Sequence, residues 1–225
     1  MTDPYIERIG VFGDIHGEHI TLERGIEFFA AEGIETLCAV GDIVDGHGDV
    51  EACCQLLQEA GVIAVRGNHE RWHLAGEMNH LPLKTGRLSD GAESFLASLP
   101  SPFRFRSPHG DLLLGHGVGA DDLAMLRPDT ETYALQQILT LRDACLDPDL
   151  SFILGGHTHD RMVRALVGIT AINAGTLMRG DDPCLVCLDL KNLRADFLDA
   201  EDPSRTLESV PIPLPPPPDI LAGAF

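Results

Sequence analysis

The sequence predicts an α/β fold built from parallel βαβ units. Three short apolar segments, at residues 8–12, 36–40 and 62–66, each end in a cluster of glycine and polar residues. A stretch with helical hydrophobic spacing follows each of them. This strand–loop–helix order is typical of parallel strands joined by crossover helices. Its threefold repetition therefore predicts a parallel sheet.

Individual helices are indicated by further signals. Residues 19–33, HITLERGIEFFAAEG, place apolar side chains three to four positions apart, as on one face of an amphipathic helix. Asp49 precedes VEACCQLLQEAG and is expected to be the N-cap of that helix. The segments 70–98 and 121–146 also have helical character. We expect them to flank the sheet or to form a cap.

The second half of the chain is expected to be richer in strands. DLLL (111–114) and SFIL (151–154) are again followed by glycine and polar residues. A run of mostly antiparallel strands is then predicted in the segments RMVRAL, ITAIN, CLVCLDL and ADFLDA. Residues 1–208 are expected to form a single domain.

The C-terminal arm, residues 209–225, is rich in proline. Proline lacks the backbone N–H and fixes φ, so we expect an extended arm that joins no sheet or helix. A loose terminus is one interpretation. Packing across the domain or onto a neighbouring subunit is the other, and a homo-oligomer therefore stays open.

Composition excludes some classes of partner. The chain has 225 residues, of which 44% are hydrophobic, enough to bury a core. Its 35 acidic and 16 basic residues give a formal net charge of −19, which repels polyanions. Long nucleic acid is therefore an unsuitable partner, whereas a small phosphorylated compound held by metal cations is compatible with this charge.

The sequence predicts a cytoplasmic protein that contacts no membrane. It contains no apolar stretch of the roughly 18–20 residues needed to cross a bilayer, and its N-terminus lacks the pattern of a signal peptide. The six cysteines lie in apolar segments, as in reduced proteins. Cys184 and Cys187 form a CxxC, but within a strand this spacing puts the two thiols on opposite faces.

Polar side chains with the chemistry of metal ligands follow five of the predicted strands. In open α/β sheets, ligands bind at the carboxyl ends of the strands. Histidine and aspartate together suit divalent first-row transition metals. The candidates are Asp14, His16, Asp42, Asp45, Asn68, His69, Glu70, His116, His157 and His159. Their position predicts one metal site at the strand ends.

The five clusters also have a recognisable order. GDIHG, GDIVDG, GNHE, GHG and GGHTH, followed by INAGT, resemble the signature blocks of the calcineurin-like metallophosphoesterase family between residues 8 and 176. The resemblance implies a four-layer αββα sandwich of two mixed sheets flanked by helices. It also implies a binuclear metal centre and hydrolysis of phosphoesters.

The resemblance assigns a role to each ligand. Asp14, His16 and His159 would bind one ion, and Asn68, His116 and His157 the second. Asp42 would bridge the two. The spacing agrees, because alternate residues of an extended chain point to the same side, so DxH and HxH can each present two ligands. The family uses manganese, iron, zinc, nickel or cobalt, and manganese is favoured here.

The implied reaction is attack on phosphorus by a hydroxide that bridges two metal ions. His69 matches the family histidine that protonates the leaving group, and Asp45 matches the carboxylate that orients it. The alternative interpretation of Asp45 is a turn residue before Gly46. For Glu70, the alternative is a residue at the N-terminal end of the next helix.

Several basic residues could lie near the substrate. His47 and His73 are close enough in sequence to line the rim of the pocket. Arg66, Arg71 and Arg179 could contact a substrate phosphate, with surface ion pairs as the alternative.

The branch of the family is indicated by one glycine. Serine/threonine protein phosphatases and dinucleoside tetraphosphatases continue the second block as GDxVDRG, with an arginine that holds the substrate phosphate, but Gly46 occupies that position here. GGHTHDR followed by INAGT instead resembles compact bacterial and archaeal phosphodiesterases. We therefore expect a small phosphodiester or nucleotide-like substrate. The alternatives are a protein phosphatase, a dinucleoside polyphosphate hydrolase, or a non-catalytic scaffold on the same fold.

Overall fold

A computed structural model describes residues 3–78 and 82–216. These residues form eleven strands and six helices. The strands are β1 (Arg8–Phe12), β2 (Leu37–Ala39), β3 (Ile63–Ala64), β4 (Phe103–Phe105), β5 (Asp111–Leu114), β6 (Leu150–Gly155), β7 (Arg161–Leu166), β8 (Ile169–Ala174), β9 (Cys184–Asp189), β10 (Arg194–Asp199) and β11 (Thr206–Pro211). The helices are α1 (His19–Ala31), α2 (Val50–Glu59), α3 (Asn68–Ala75), α4 (Asp90–Ser98), α5 (Thr132–Gln137) and α6 (Leu139–Leu146).

The strands form two mixed sheets. The six-stranded sheet has the order β11-β10-β9-β1-β2-β3, and the five-stranded sheet has the order β4-β5-β6-β8-β7. In the first sheet β1, β2 and β3 are parallel, as the repeated strand–loop–helix pattern predicted. In the second sheet β5, β6 and β8 are parallel. The antiparallel pairs β7–β8 and β9–β10 confirm the predicted antiparallel contacts in the second half of the chain.

Three apolar clusters hold four layers together. One cluster lies between the two sheets and contains Val11 and Phe152. A second joins the outer face of the six-stranded sheet to α1, α2 and α4, with Phe29 at 0% exposure in its centre. The third packs α6 on the five-stranded sheet through Leu141. The predicted αββα sandwich is therefore confirmed.

The alternation of side chains along a strand explains how one strand serves two clusters. Cys184 belongs to the cluster between the sheets, whereas Cys187 belongs to the outer cluster, so the two thiols lie on opposite faces of β9 as predicted. The predicted N-cap is also confirmed, because the Asp49 carboxylate accepts a hydrogen bond of 3.0 Å from the backbone N–H of Ala52.

The helical segments are shorter than predicted. Gly76, with φ of 68°, ends α3 in a left-handed C-cap, and α4 begins only at Asp90. Residues 79–81 lie outside the described part of the chain. In the segment 121–146, helix is found only from Thr132 onward. At the start of this segment, Asp121 instead forms an isolated β-bridge with Val118.

The beginning of the C-terminal arm corrects a prediction. Residues 209–211 belong to β11 and pair with residues 194–196 of β10, so the expectation that the arm joins no sheet is wrong for these three residues. Since β11 is an edge strand, a proline there need not interrupt the hydrogen bonding of the sheet. Ile212 is also buried. Residues 217–225 lie outside the described part.

None of the helices formed by the described residues has both the length and the apolar character needed to span a bilayer.

Candidate metal centre

The predicted ligands lie at the carboxyl ends of five parallel strands. The loops after β1, β2 and β3 carry them in one sheet, and the loops after β5 and β6 carry them in the other. The side chains form three overlapping groups in which the ligand atoms lie within 4.8 Å of one another. These groups are Asp14, His16 and His159; His16, Asp42 and His69; and Asp42, His116 and His157.

The first group surrounds Asp14. Nε2 of His159 lies 3.2 Å from Oδ2 of Asp14. Nδ1 of His16 lies 3.0 Å and 2.9 Å from the backbone carbonyls of Val44 and Asp45, so this nitrogen carries the proton and donates it. His16 therefore presents the lone pair of Nε2 to the cluster, as outer hydrogen bonds usually arrange for metal-binding histidines.

The third group surrounds His116. Its Nε2 lies 3.1 Å from Oδ2 of Asp42, and its Nδ1 lies 2.9 Å from the carbonyl of Val40. One amide atom of Asn68 lies 2.9 Å from both His116 Nε2 and His157 Nδ1. If this atom is the amide oxygen, its lone pair and those of the two ring nitrogens converge on one point, as a bound cation requires. If it is the amide nitrogen, the NH2 group donates hydrogen bonds to both rings instead.

Asp42 belongs to the group with His116 and His157 and also to the group with His16 and His69. Its Oδ2 faces His116 and also lies 4.0 Å from His16 Nε2. Its Oδ1 accepts a hydrogen bond of 3.0 Å from the backbone N–H of His69. The carboxylate therefore faces candidate ligands of both groups, and its role as a bridging ligand stays a prediction.

The residues present fit a centre of divalent cations. Asp14 has no exposed surface, and among the described residues neither of its carboxylate oxygens accepts a hydrogen bond of acceptable geometry. A buried carboxylate without donors is costly, and a cation removes that cost. The mixed set of imidazole, carboxylate and amide ligands is the chemistry of first-row transition metals.

The electrostatics agree with this fit. Burial alone would raise the pKa of Asp42, but the charge and hydrogen bond of His116 outweigh it and keep this pKa below its ordinary value. Burial lowers the pKa of His116, yet the charges of Asp42 and Asp14 raise it to about 10. Without cations, protons on imidazoles such as His116 balance the carboxylates, and a metal would replace those protons.

The backbone is strained at the same place. Five residues of the cluster have left-handed φ, which is uncommon outside glycine and costs about 1–3 kcal/mol each. They are His16, Asp42, Asp45, His157 and His159, with φ between 45° and 66°. Such strain persists only where the surrounding structure imposes it, and it concentrates at functional sites.

Glu70 has a role that its sequence position did not reveal. It lies in the first turn of α3, as one interpretation of the sequence expected, but its side chain is fully buried. It accepts hydrogen bonds from the backbone N–H groups of Asp42, Ile43, Val44 and Gly67, at 2.6–3.1 Å. Glu70 thus holds the loop that carries Asp42. The sequence offered only the capping-box spacing as a signal.

His69 and Asp45 are in direct contact. Nδ1 of His69 lies 2.9 Å from Oδ2 of Asp45. Burial alone would lower the pKa of His69, but the hydrogen bond to Asp45 and the charge of Asp42 outweigh it and raise this pKa. Thr85 completes the arrangement, because its N–H donates to Asp45 Oδ1 and its hydroxyl accepts from the Asp45 N–H, both at 2.7 Å. Sequence reasoning missed Thr85, since nothing local marks a residue that lies 40 positions away.

Two of the predicted phosphate-binding arginines are held in ion pairs. Arg71 binds Asp122 with two hydrogen bonds, at 2.7 and 3.0 Å. Arg179 binds the buried carboxylate of Glu18 at 2.6 Å. Of the predicted rim residues, His73 lies 2.9 Å from Glu93 and His47 is exposed.

The comparison with known families agrees with this geometry. The family of calcineurin-like phosphoesterases matches residues 7–161. The chain therefore belongs to that family, and it is a metal-dependent phosphoesterase. No curated protein matches the chain.

Solved structures share the fold at low sequence identity. Yfce, a phosphoesterase from E. coli, is 22% identical, with a TM-score of 0.58 over 92% of this chain and 100% of that one. A putative diadenosine tetraphosphatase is 24% identical, with a TM-score of 0.52 over 92% and 96%. An archaeal phosphodiesterase is 16% identical, with a TM-score of 0.52 over 85% and 98%.

Proposed function

We propose that this protein hydrolyses a small phosphodiester or a nucleotide-like compound at a centre of two divalent transition-metal ions, with manganese favoured, in the cytoplasm. The observation that carries the proposal is the position of Asp42, which belongs both to the group with His116 and His157 and to the group with His16 and His69. The chain's net charge of −19 makes long nucleic acid an unsuitable substrate and leaves small phosphorylated compounds.

The proposed ligands are divided between two ions. Asp14, His16 and His159 would hold one ion, and Asn68, His116 and His157 the other, with Asp42 between them. When bound, the ions supply a nucleophile from water at neutral pH and positive charge against the phosphate oxygens.

The proton for the leaving group would come from His69. Because Nδ1 of His69 faces Asp45, the second nitrogen, Nε2, is directed toward the ligand cluster, 3.9 Å from Asp42 Oδ2. Asp45 and Thr85 keep the ring in that orientation. A leaving oxygen within hydrogen-bond distance of Nε2 can then accept the proton as its bond to phosphorus breaks.

Gly46 supports a diester over a monoester. A Cβ added at Gly46 would lie 1.6 Å from the backbone carbonyl oxygen of His16, so this loop has no space for a side chain. The arginine of the protein phosphatases therefore cannot be accommodated here without rebuilding the loop. A monoester dianion carries one more charge than a diester, and it gains more from such a cation.

The test is a matched panel of substrates on manganese-loaded protein. It contains bis(p-nitrophenyl) phosphate, p-nitrophenyl phosphate, 2′,3′-cyclic AMP, diadenosine tetraphosphate and a phosphoserine peptide. We expect the highest kcat/KM for a diester, with slower monoester hydrolysis. A clear preference for the phosphopeptide would contradict the diesterase proposal and favour a protein phosphatase. A preference for diadenosine tetraphosphate would favour the dinucleoside polyphosphate hydrolase.

The role of His69 has its own test. His69→Ala should retain the bound metal and lower kcat by about 10²–10⁴-fold, more for 2′,3′-cyclic AMP than for a nitrophenyl ester, whose leaving group needs no proton. His109→Ala is the matched control, because His109 is exposed and contacts only a backbone carbonyl among its hydrogen-bond partners. Equal losses for both kinds of leaving group would contradict the assignment.

A scaffold without catalysis would give a different result. If protein purified without chelator held well under one metal ion per chain, and added manganese produced no hydrolysis of any member of the panel, catalysis by this centre would be excluded.

A further inference from the structure

Trp72 lies beside His69 on α3. Residues three positions apart in a helix share one side, and the two ring centroids are 5.1 Å apart. The ring planes meet at 58°, so the indole is tilted against the imidazole and not stacked on it. The only tryptophan of the chain is therefore in contact with the proposed proton donor.

Trp72 has no role in the core. It is half-buried, and it belongs to none of the three apolar clusters that the described residues form. The Trp72 ring also contacts a cation, since the guanidinium carbon of Arg71 lies 5.8 Å from the ring centre. Arg71 is in turn fixed by Asp122. A large indole held at the surface by polar neighbours indicates a binding contact more than a packing contact.

The contact with His69 places Trp72 near the proposed site of proton transfer. The anchored Nδ1 leaves Nε2 to face the leaving oxygen. A group attached to that oxygen would therefore lie next to His69, whose ring contacts Trp72. The same nitrogen lies 3.9 Å from Oδ2 of the candidate ligand Asp42, so His69 lies between the ligand cluster and the contact with Trp72 along the chain of contacts.

We propose that Trp72 binds the aromatic part of the leaving group, and that the substrate is a phosphodiester whose leaving group carries a nucleobase. This inference rests on the proposed function. An indole offers a contact that any base accepts, because every base has a π-face. Arg71 adds its own charge next to the same ring.

The single tryptophan provides a direct readout of binding. Manganese-loaded protein is titrated with AMP, whose 5′-oxygen takes the place of the leaving oxygen, and with ribose 5-phosphate, which has the same phosphate and no base. We expect AMP to change the emission of Trp72 and ribose 5-phosphate to leave it unchanged at saturation. An equal change with both ligands would contradict a base contact.

Variants measure the contact by calorimetry. Trp72→Leu should weaken AMP binding about tenfold and leave ribose 5-phosphate binding unchanged, whereas Trp72→Phe should keep AMP within about threefold of wild type. Tyr133→Leu is the matched control, since Tyr133 is 75% exposed and lies on α5, and it should change neither affinity. AMP binding as tight in Trp72→Leu as in wild type, or an equal loss for both ligands, would overturn the inference.

The experiment separates this inference from the proposed function. If wild type hydrolyses the diesters of the panel and Trp72→Leu still binds AMP normally, only the base contact is wrong. If AMP binding depends on Trp72 and no phosphoester is hydrolysed, the base contact stands and the proposed reaction is wrong.

Discussion

At the residue scale, the centre depends on one carboxylate that belongs to two ligand groups. Asp42 is 2% exposed, and each of its oxygens has a separate contact, one to His116 and the other to the backbone of His69. Its backbone is itself fixed by Glu70. We therefore expect a substitution at this position to act on both proposed ions.

We expect Asp42→Asn to weaken both proposed ions at once, because the amide removes the negative charge shared by the two groups. The loss of affinity should exceed the roughly 10–100-fold that follows loss of an outer partner. Metal analysis after equilibrium dialysis against manganese measures the stoichiometry. Asp129→Asn, at an exposed position, is the control and should bind metal like wild type. A variant Asp42→Asn that retained one tightly bound ion would show that Asp42 is not shared.

At the scale of elements, Arg104 joins three segments of the five-stranded sheet. From β4 it donates to Asp111 on β5 and to Asp147 in the loop before β6, each at 2.7 Å. The hydrogen bond from Arg104 holds the pKa of Asp147 below its ordinary value. Both partners are partly exposed, so solvent screens the ion pair and its contribution is modest.

We expect Arg104→Gln to lower Tm by about 1–3 °C at pH 7, as a partly exposed ion pair allows in a chain of this size. A lowered pKa in the folded state stabilises the protein above the unfolded pKa, and that stabilisation is lost as pH falls through the folded value. The difference in Tm should therefore shrink between pH 5 and pH 3, as thermal melts can show. Arg205→Gln, at an exposed pair with Asp199, should change Tm little at any pH. A difference that grew on acidification would contradict this assignment.

At the scale of the whole molecule, the four layers cover every cysteine. All six thiols are free and buried, and they are distributed among the three apolar clusters. Burial raises the pKa of Cys54 and Cys184 to about 12, and that of Cys145 to about 11. The thiolate, which is the reactive form, is therefore scarce in the folded protein.

We expect the native protein to react with Ellman's reagent only as fast as unfolding exposes its thiols. The denatured protein should react rapidly at six thiols. Leu146→Cys is the control, because Leu146 is 63% exposed next to the buried Cys145, and it should add one fast thiol to the native protein. Absorbance at 412 nm follows the reaction. Rapid labelling of any of the six native thiols would contradict the described burial.

Much of the fold and the ligand set could be predicted because the signals are local. A parallel strand followed by glycine and polar residues can be seen within about ten positions, and Asp14, Asp42 and His116 each follow such a strand. The end of a helix is less visible. Gly76 stops α3 through a left-handed cap that periodicity does not reveal.

The partners of those residues could not be predicted, because they come from distant parts of the chain. Thr85 fixes Asp45 from 40 positions away, and Thr176 donates its hydroxyl proton to the carbonyl of Asp14 from 162 positions away. Val210 and Pro211 were expected outside the sheet because proline lacks a backbone N–H. They nevertheless pair at the edge of the sheet, a position that the local sequence does not reveal.

The α/β class, the family and the candidate metal ligands follow from the sequence, because each depends on residue types at short spacing. The way these residues meet follows from the fold alone: Asp42 belongs to two ligand groups, Glu70 holds its loop, Gly46 has no room for a side chain, and Trp72 contacts His69. These contacts depend on two sheets that pack with their strand ends together. That packing comes from the burial of the apolar clusters and not from the residues of the site.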